Sequence, residues 1–186
     1  MPQALRPHHL RPLLAAERIR ARVQELAEQI DRDYAGSDCL VAIGVLKGAV
    51  LFYSDLVQRL SVPVIVDFFQ TSSYGTGTVA GEIRIKRDID TSIRGKDVLL
   101  VEDIVDTGWT VRTILELFRF RGARSVKLCA LLDKHAAREV DVPIDYCGFE
   151  IGNEFVVGYG LDYGERHRHL PYVAVVEFDD AEESRP

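Results

Sequence analysis

Between Leu13 and Tyr34 the apolar residues Leu14, Ile19, Val23, Leu26 and Ile30 recur at helical spacing, and charged residues fill the opposite face. That pattern predicts an amphipathic helix, stopped by Gly36 and the polar Ser37–Asp38 pair. Cys39–Leu46 (CLVAIGVL) is short, apolar and rich in β-branched residues. It predicts a strand covered on both faces. Ala49–Leu60 predicts a second helix. Val62–Phe69 predicts a second strand, with Pro63 near its start, where a missing N–H is tolerable. Gln70–Gly81 (QTSSYGTGTVAG) has three glycines, no charge and little periodicity, and is expected to be a mobile loop. Glu82–Lys86 alternates like a strand with one wet face. Asp97–Val101 (DVLLV) is the clearest buried strand, followed by a helix over Thr110–Phe120 with Gly122 at its C-terminal end. Further strands are expected at Ser125–Leu132, Ile144–Phe149, Phe155–Tyr159 and Tyr172–Phe178.

Alternation of strand, helix and strand through the middle of the chain points to an α/β fold, a mostly parallel twisted sheet flanked by helices. In such sheets ligands bind beyond the carboxyl ends of the strands. The first twelve residues hold three prolines, two arginines and two histidines but no apolar run, and read as a flexible arm. Residues 13–180 read as one domain and 181–186 as a tail. A length of 186 residues fits a single domain with a full core. Composition is that of a globular protein, and the net charge of −6 argues against nucleic acid as the main partner. Cys39, Cys129 and Cys147 make no disulfide or zinc pattern and read as buried small hydrophobes, which suits a reducing cytoplasm. The most apolar stretch, Cys39–Tyr53, is interrupted by Lys47 and is too short to span a bilayer.

The strongest chemical signal is Val98–Thr110, VLLVEDIVDTGWT. An apolar strand runs into Glu102 and Asp103, and Asp106-Thr107-Gly108-Trp109-Thr110 turns into the next helix. Gly108 permits a tight turn and a close approach of backbone to ligand. Free N–H groups and the positive dipole end at a helix start favour a phosphate, and the hydroxyls of Thr107 and Thr110 add donors. Two adjacent carboxylates would repel a bare anion; they make sense against sugar hydroxyls or a magnesium ion. Neither a P-loop nor a GxGxxG fingerprint is present.

These thirteen residues resemble the phosphoribosyl-pyrophosphate motif of type I phosphoribosyltransferases, and further segments in chain order resemble the hypoxanthine-guanine branch of that family. Leu46-Lys47-Gly48 is similar to the family's pyrophosphate loop, in which the Leu–Lys peptide is typically cis. Ser72-Ser73-Tyr74-Gly75 resembles its mobile lid, here Ser73 and Tyr74, which would exclude water while the sugar carbon gains oxocarbenium character. Leu131-Leu132-Asp133-Lys134 places Lys134 where the family donates to O6 of a 6-oxopurine. Adenine would present a donor to that donor, leaving a buried group unpaired. In Phe155–Tyr163, Phe155 corresponds to the residue that stacks on the purine, Val156 and Asp162 to those that read its edge, and Arg168 to a pyrophosphate-binding arginine.

The resemblance implies a small hood subdomain built from the N- and C-terminal segments. It implies Mg2+ as cofactor, held by Glu102 and Asp103 with a second ion assisted by Asp162. It also implies a homodimer or homotetramer, with no nucleic acid or membrane partner. The implied reaction joins hypoxanthine or guanine to 5-phospho-α-D-ribose 1-diphosphate, giving IMP or GMP and pyrophosphate, with Asp106 as the base near purine N7. The alternatives are a transferase using xanthine or another base, and a nucleotide-sensing, RNA-binding regulator of the same fold. Trp109 departs from the smaller or polar residue expected in the phosphate turn, and either caps the phosphate or packs outward. Gly160 and Gly164 are expected to loosen the tail. His167 and His169 lack an evident third ligand and read as surface residues rather than a zinc site.

Overall fold

The computed structural model describes residues 5–73 and 83–179. Six strands form the main sheet: β2 (Leu40–Leu46), β3 (Val64–Ser73), β4 (Ile83–Arg87), β5 (Asp97–Val105), β6 (Ser125–Asp133) and β7 (Tyr146–Glu150). Their spatial order is β4-β3-β2-β5-β6-β7, all parallel except the β3–β4 pair. Three helices, α1 (Ala16–Asp33), α2 (Val50–Val57) and α3 (Trp109–Phe120), cover its faces.

Side-chain alternation along the central strands explains the layering. Leu40 and Ala42 of β2, Leu99 and Val101 of β5, and Cys129 and Leu131 of β6 share one core with Ile19, Val23, Leu26 and Ile30 of α1 and Phe52 and Leu56 of α2. The intervening Val41, Ile43, Val98, Leu100, Leu128 and Ala130 point the other way, onto Val111, Ile114, Leu115 and Phe118 of α3. A period-two strand with apolar residues on both faces needs a helix on each side, and the sequence supplies both.

A second, antiparallel sheet has the order β1-β9-β8, from β1 (His8–Leu14), β8 (Val156–Val157) and β9 (Val173–Phe178). It is the expected hood. The arm expected over residues 1–12 is corrected here: His8–Leu14 pairs with Val173–Phe178, so this stretch is an edge strand from His8 onward. Proline at position 12 sits on that edge, where no ladder N–H is demanded, and the strand is hidden in the sequence because its three leucines are interrupted by histidine, arginine and proline without a clean alternation. The first helix consequently begins at Ala16, with Leu14 in β1. Strand β3 likewise extends through Gln70–Ser73 into the segment expected to be loop, pairing with β4. Cys129 is buried, but Cys39 and Cys147 are only half-buried. Among the described residues no helix is long and apolar enough to cross a membrane.

The carboxyl ends of β2, β5 and β6 deliver Lys47, Asp106 and Lys134 to the same edge of the sheet. Strand β2 lies between β3 and β5, so the chain order reverses there and leaves the crevice in which parallel sheets bind ligands.

Candidate active site

The phosphate turn forms where β5 ends. Gly108 adopts φ 92°, and a Cβ there would lie 2.9 Å from Arg138 Cδ and from the Val140 carbonyl oxygen. Both the backbone angle and the close neighbour require glycine. Gly108 is the N-cap of α3 and offers no side-chain cap, so the first-turn N–H groups remain available to an anion. A cavity of about 110 Å³ opens at this turn, lined by Glu102, Asp106, Thr107, Gly108 and Thr110 among others. Trp109 packs outward: its indole N–H donates to Glu139 at 2.9 Å, and the Arg112 guanidinium lies 6.0 Å from its ring centre.

Behind the turn sit the paired carboxylates. Glu102 is buried and its Oε2 has no hydrogen-bond partner. Burial, together with the neighbouring Asp103 charge, pushes its pKa well above the ordinary carboxylate range. Asp103 accepts the Ile104 N–H at 2.9 Å, and burial raises its pKa to about 6. Such a pair calls for a cation or for hydroxyl donors. Among the described residues no group of three His, Cys, Asp or Glu side chains is arranged to hold a metal. The orphaned Glu102 oxygen therefore fits an ion that takes one or two carboxylates here and its other oxygens from substrate and water, which is how Mg2+ prefers to bind. Asp162, expected to assist a second ion, spends its oxygens on the Glu165 N–H at 2.8 Å and the Arg168 guanidinium at 2.8 Å.

The loop after β2 lies against these carboxylates. The Leu46–Lys47 peptide is cis. A Cβ at Gly48 would lie 1.6 Å from Asp103 Oδ2, and one at Gly160 would lie 1.9 Å from the Gly48 carbonyl oxygen. Gly160, at φ 106°, does not loosen the tail; its missing side chain lets hood and loop touch. Gly164, at φ 57°, does similar work: a Cβ would lie 2.4 Å from Leu5 Cδ2.

A second cavity, of about 260 Å³, adjoins the first and shares Ile104 and Asp106 with it; Asp103, Lys134, Phe155, Val156, Leu161 and Asp162 line the rest. Lys134 is buried, its backbone N–H donates to the Val105 carbonyl at 3.0 Å, and its ammonium stands 3.9 Å from Asp106 Oδ2. Phe155 lines this cavity and is 43% exposed. It is backed by Phe178, stacked at 6.4 Å, and by Tyr163, edge-on at 5.6 Å. One apolar face with a buried ammonium at the rim suits a flat heterocycle bearing an acceptor.

Lys47 and Arg168 converge on the outer side. Lys47 Nζ is 2.9 Å from Glu165 Oε2, and Arg168 Nη2 is 3.4 Å from the same oxygen. Arg168 also donates to the Gly160 carbonyl at 2.8 Å, while its buried Nε has no partner. His167 is corrected from a surface residue to a half-buried one: its Nε2 lies 3.0 Å from His8 Nε2 of the hood strand. Tyr74 falls outside the described residues, and Ser73 is the last residue of β3.

Sequence reasoning missed Arg138, Glu139 and Glu165. Arg138 forms an ion pair with Asp133 and donates to the Asp106 carbonyl at 3.0 Å. The Glu139 and Val140 N–H groups donate to the Thr107 carbonyl at 3.0 and 3.2 Å. The stretch from His135 to Val142 thus buttresses the phosphate turn. Its only signal in the chain is a basic residue five positions after the acidic end of a strand, which is too common to single out.

Comparison with known proteins agrees with this geometry. A phosphoribosyl transferase domain family matches residues 10–164. A hypoxanthine phosphoribosyltransferase of Haemophilus influenzae is 44% identical over 95% of this chain and 100% of its own length. A hypoxanthine-guanine phosphoribosyltransferase of Bacillus subtilis is 46% identical over 89% of this chain and 92% of its own. Among solved structures, a hypoxanthine-guanine phosphoribosyltransferase of Bacillus anthracis, with a HEPES molecule in its active site, superposes with a TM-score of 0.87 at 41% identity. That match covers 90% of this chain and 99% of the other. A ternary substrates complex of a lysine-to-arginine mutant of the Trypanosoma cruzi hypoxanthine phosphoribosyltransferase gives a TM-score of 0.87 at 39% identity, over 91% of this chain and 96% of the other. The chain belongs to the phosphoribosyltransferase family, within its hypoxanthine and hypoxanthine-guanine branch.

Proposed function

We propose that the chain salvages 6-oxopurines, transferring the phosphoribosyl group of 5-phospho-α-D-ribose 1-diphosphate to hypoxanthine or guanine with release of pyrophosphate. The observation that carries this reading is the shared wall of the two cavities. An anion cradle and an aromatic, ammonium-rimmed slot meet at Asp106, so sugar and base are held side by side.

The roles follow from position. Asp106–Thr110 binds the 5-phosphate through backbone N–H groups and hydroxyls. Glu102 and Asp103 accept from the ribose hydroxyls. Phe155 stacks on the base, a contact worth about 1–3 kcal/mol, and Lys134 donates to O6. Val156 and Asp162 read the purine edge. Asp106 receives the proton leaving N7 as the glycosidic bond forms. Lys47, Gly48 and Arg168 hold the departing pyrophosphate. Ser73 and Tyr74 belong to the lid. The family suggests a divalent metal, and Mg2+ suits the oxygen-only donors Glu102 and Asp103. Bound there, it supplies Lewis-acid neutralisation of the leaving diphosphate. We place the domain at residues 13–180 together with the hood strand, the chain in the cytoplasm, and the assembly as a homodimer or homotetramer.

The direct test incubates the protein with Mg2+, phosphoribosyl pyrophosphate and, separately, hypoxanthine, guanine, xanthine and adenine, following product absorbance. Nucleotide from hypoxanthine or guanine, with none from adenine, is the expected result. Turnover of xanthine alone, or of no base, overturns the reading.

A further inference from the structure

Glu165 is the residue the proposed reaction leaves without a part, yet its carboxylate joins both cations assigned to pyrophosphate. Its Oε2 lies 2.9 Å from Lys47 Nζ and 3.4 Å from Arg168 Nη2. The two cations come from distant parts of the chain, the loop after β2 and the tail. A single carboxylate oxygen spans them, as an oxygen of a bound phosphate would.

Backbone geometry sets the carboxylate there. Glu165 adopts φ 65°, a left-handed conformation uncommon for a residue with a side chain. Gly164 at 57° and His167 at 73° flank it. Tyr163 and Arg166 exchange hydrogen bonds of 3.2 and 3.1 Å across the turn, with Glu165 near its tip. The Glu165 N–H is tied to Asp162 Oδ2 at 2.8 Å. A freely solvated surface glutamate needs none of this. The turn carries the Glu165 side chain, itself 65% exposed, across to the two cations.

We infer that Glu165 is an internal counter-anion, which occupies Lys47 and Arg168 in the empty enzyme and which pyrophosphate must displace on binding. The inference rests on the proposed function and assigns that site a residue regulating its diphosphate affinity. With Glu165 paired, Lys47 has a counter-charge in the empty site, and Arg168, already 2.8 Å from Asp162, has a second one. As pyrophosphate leaves, the carboxylate re-forms its ion pairs and opposes rebinding. The residue therefore weakens pyrophosphate binding and speeds its release.

The test is calorimetric titration of the full-length protein with inorganic pyrophosphate in the presence of Mg2+, for wild type, Glu165→Gln and Glu28→Gln. Glu28 lies on the exposed face of α1, so its change removes the same charge elsewhere. Glu165→Gln should bind pyrophosphate about two- to fivefold more tightly, the range for losing one solvent-exposed competing ion pair. Product inhibition by pyrophosphate should strengthen by the same factor, and Glu28→Gln should match wild type. Equal or weaker binding by Glu165→Gln, or equal tightening by Glu28→Gln, overturns the inference and leaves the proposed function standing. A wild type that binds no pyrophosphate overturns both.

Discussion

At the scale of single residues, two side chains divide the proposed chemistry between them. Asp106 lines both cavities, whereas Lys134 lines only the base slot. Asp106→Asn keeps the size and the hydrogen-bonding capacity of the side chain but removes its ability to take a proton. Turnover should fall about a hundredfold, the lower end for loss of a general base, with nucleotide binding within a few-fold of wild type. Steady-state kinetics beside nucleotide titration checks this; unchanged turnover removes Asp106 from the base role. Lys134→Ala should raise KM for hypoxanthine far more than KM for phosphoribosyl pyrophosphate. Its buried ammonium stands 3.9 Å from Asp106 Oδ2, beyond hydrogen-bonding reach. Equal loss for both substrates would refute the O6 assignment.

Between elements, the phosphate turn depends on a neighbour remote in sequence. Arg138 and Asp133 form an ion pair with side chains only 10% and 12% exposed, and Arg138 also holds the Asp106 carbonyl. Removing one partner of a buried pair strands the other charge. Arg138→Leu should lower stability by about 3 kcal/mol in denaturant unfolding, and it should weaken phosphoribosyl pyrophosphate more than purine. The strand, the turn glycine and α3 were legible in the chain because apolar alternation and helix periodicity are local properties. The buttress was not, because a loop without periodicity gives no sign of which carbonyl its arginine will meet. The hood strand β1 escaped for a related reason. Its three leucines do not alternate regularly with its polar residues, and only its pairing with β9 defines it.

For the molecule as a whole, the end of the sheet opposite the site is held by one carboxylate. Asp97, at the start of β5, accepts from Arg124 at 2.9 and 2.5 Å, from Ser125 at 2.7 Å and from Ser37 at 3.0 Å. The Arg124 guanidinium, foremost, and then the two hydroxyls hold its pKa far below the ordinary value of 3.8. A depressed folded pKa means that the unfolded chain binds the proton more readily. The stabilisation is therefore full well above pH 3.8 and is lost as pH falls from there toward the folded pKa. Asp97→Asn should lower stability at pH 7 by about 1–3 kcal/mol. Thermal unfolding across pH should show the gap to wild type closing below about pH 4. A gap independent of pH would mean that shape rather than charge is responsible.

Periodicity and one motif of thirteen consecutive residues are written in neighbouring positions, and they were enough to specify the parallel α/β core and the glycine turn between β5 and α3. Other features came into view only once the chain was folded: Gly48 lying on Asp103, Gly160 meeting Gly48, Trp109 facing outward, and Glu165 spanning Lys47 and Arg168. Each of these is a contact between segments far apart along the chain. Its distance is set by how the hood and sheet pack together, and no local pattern encodes that packing.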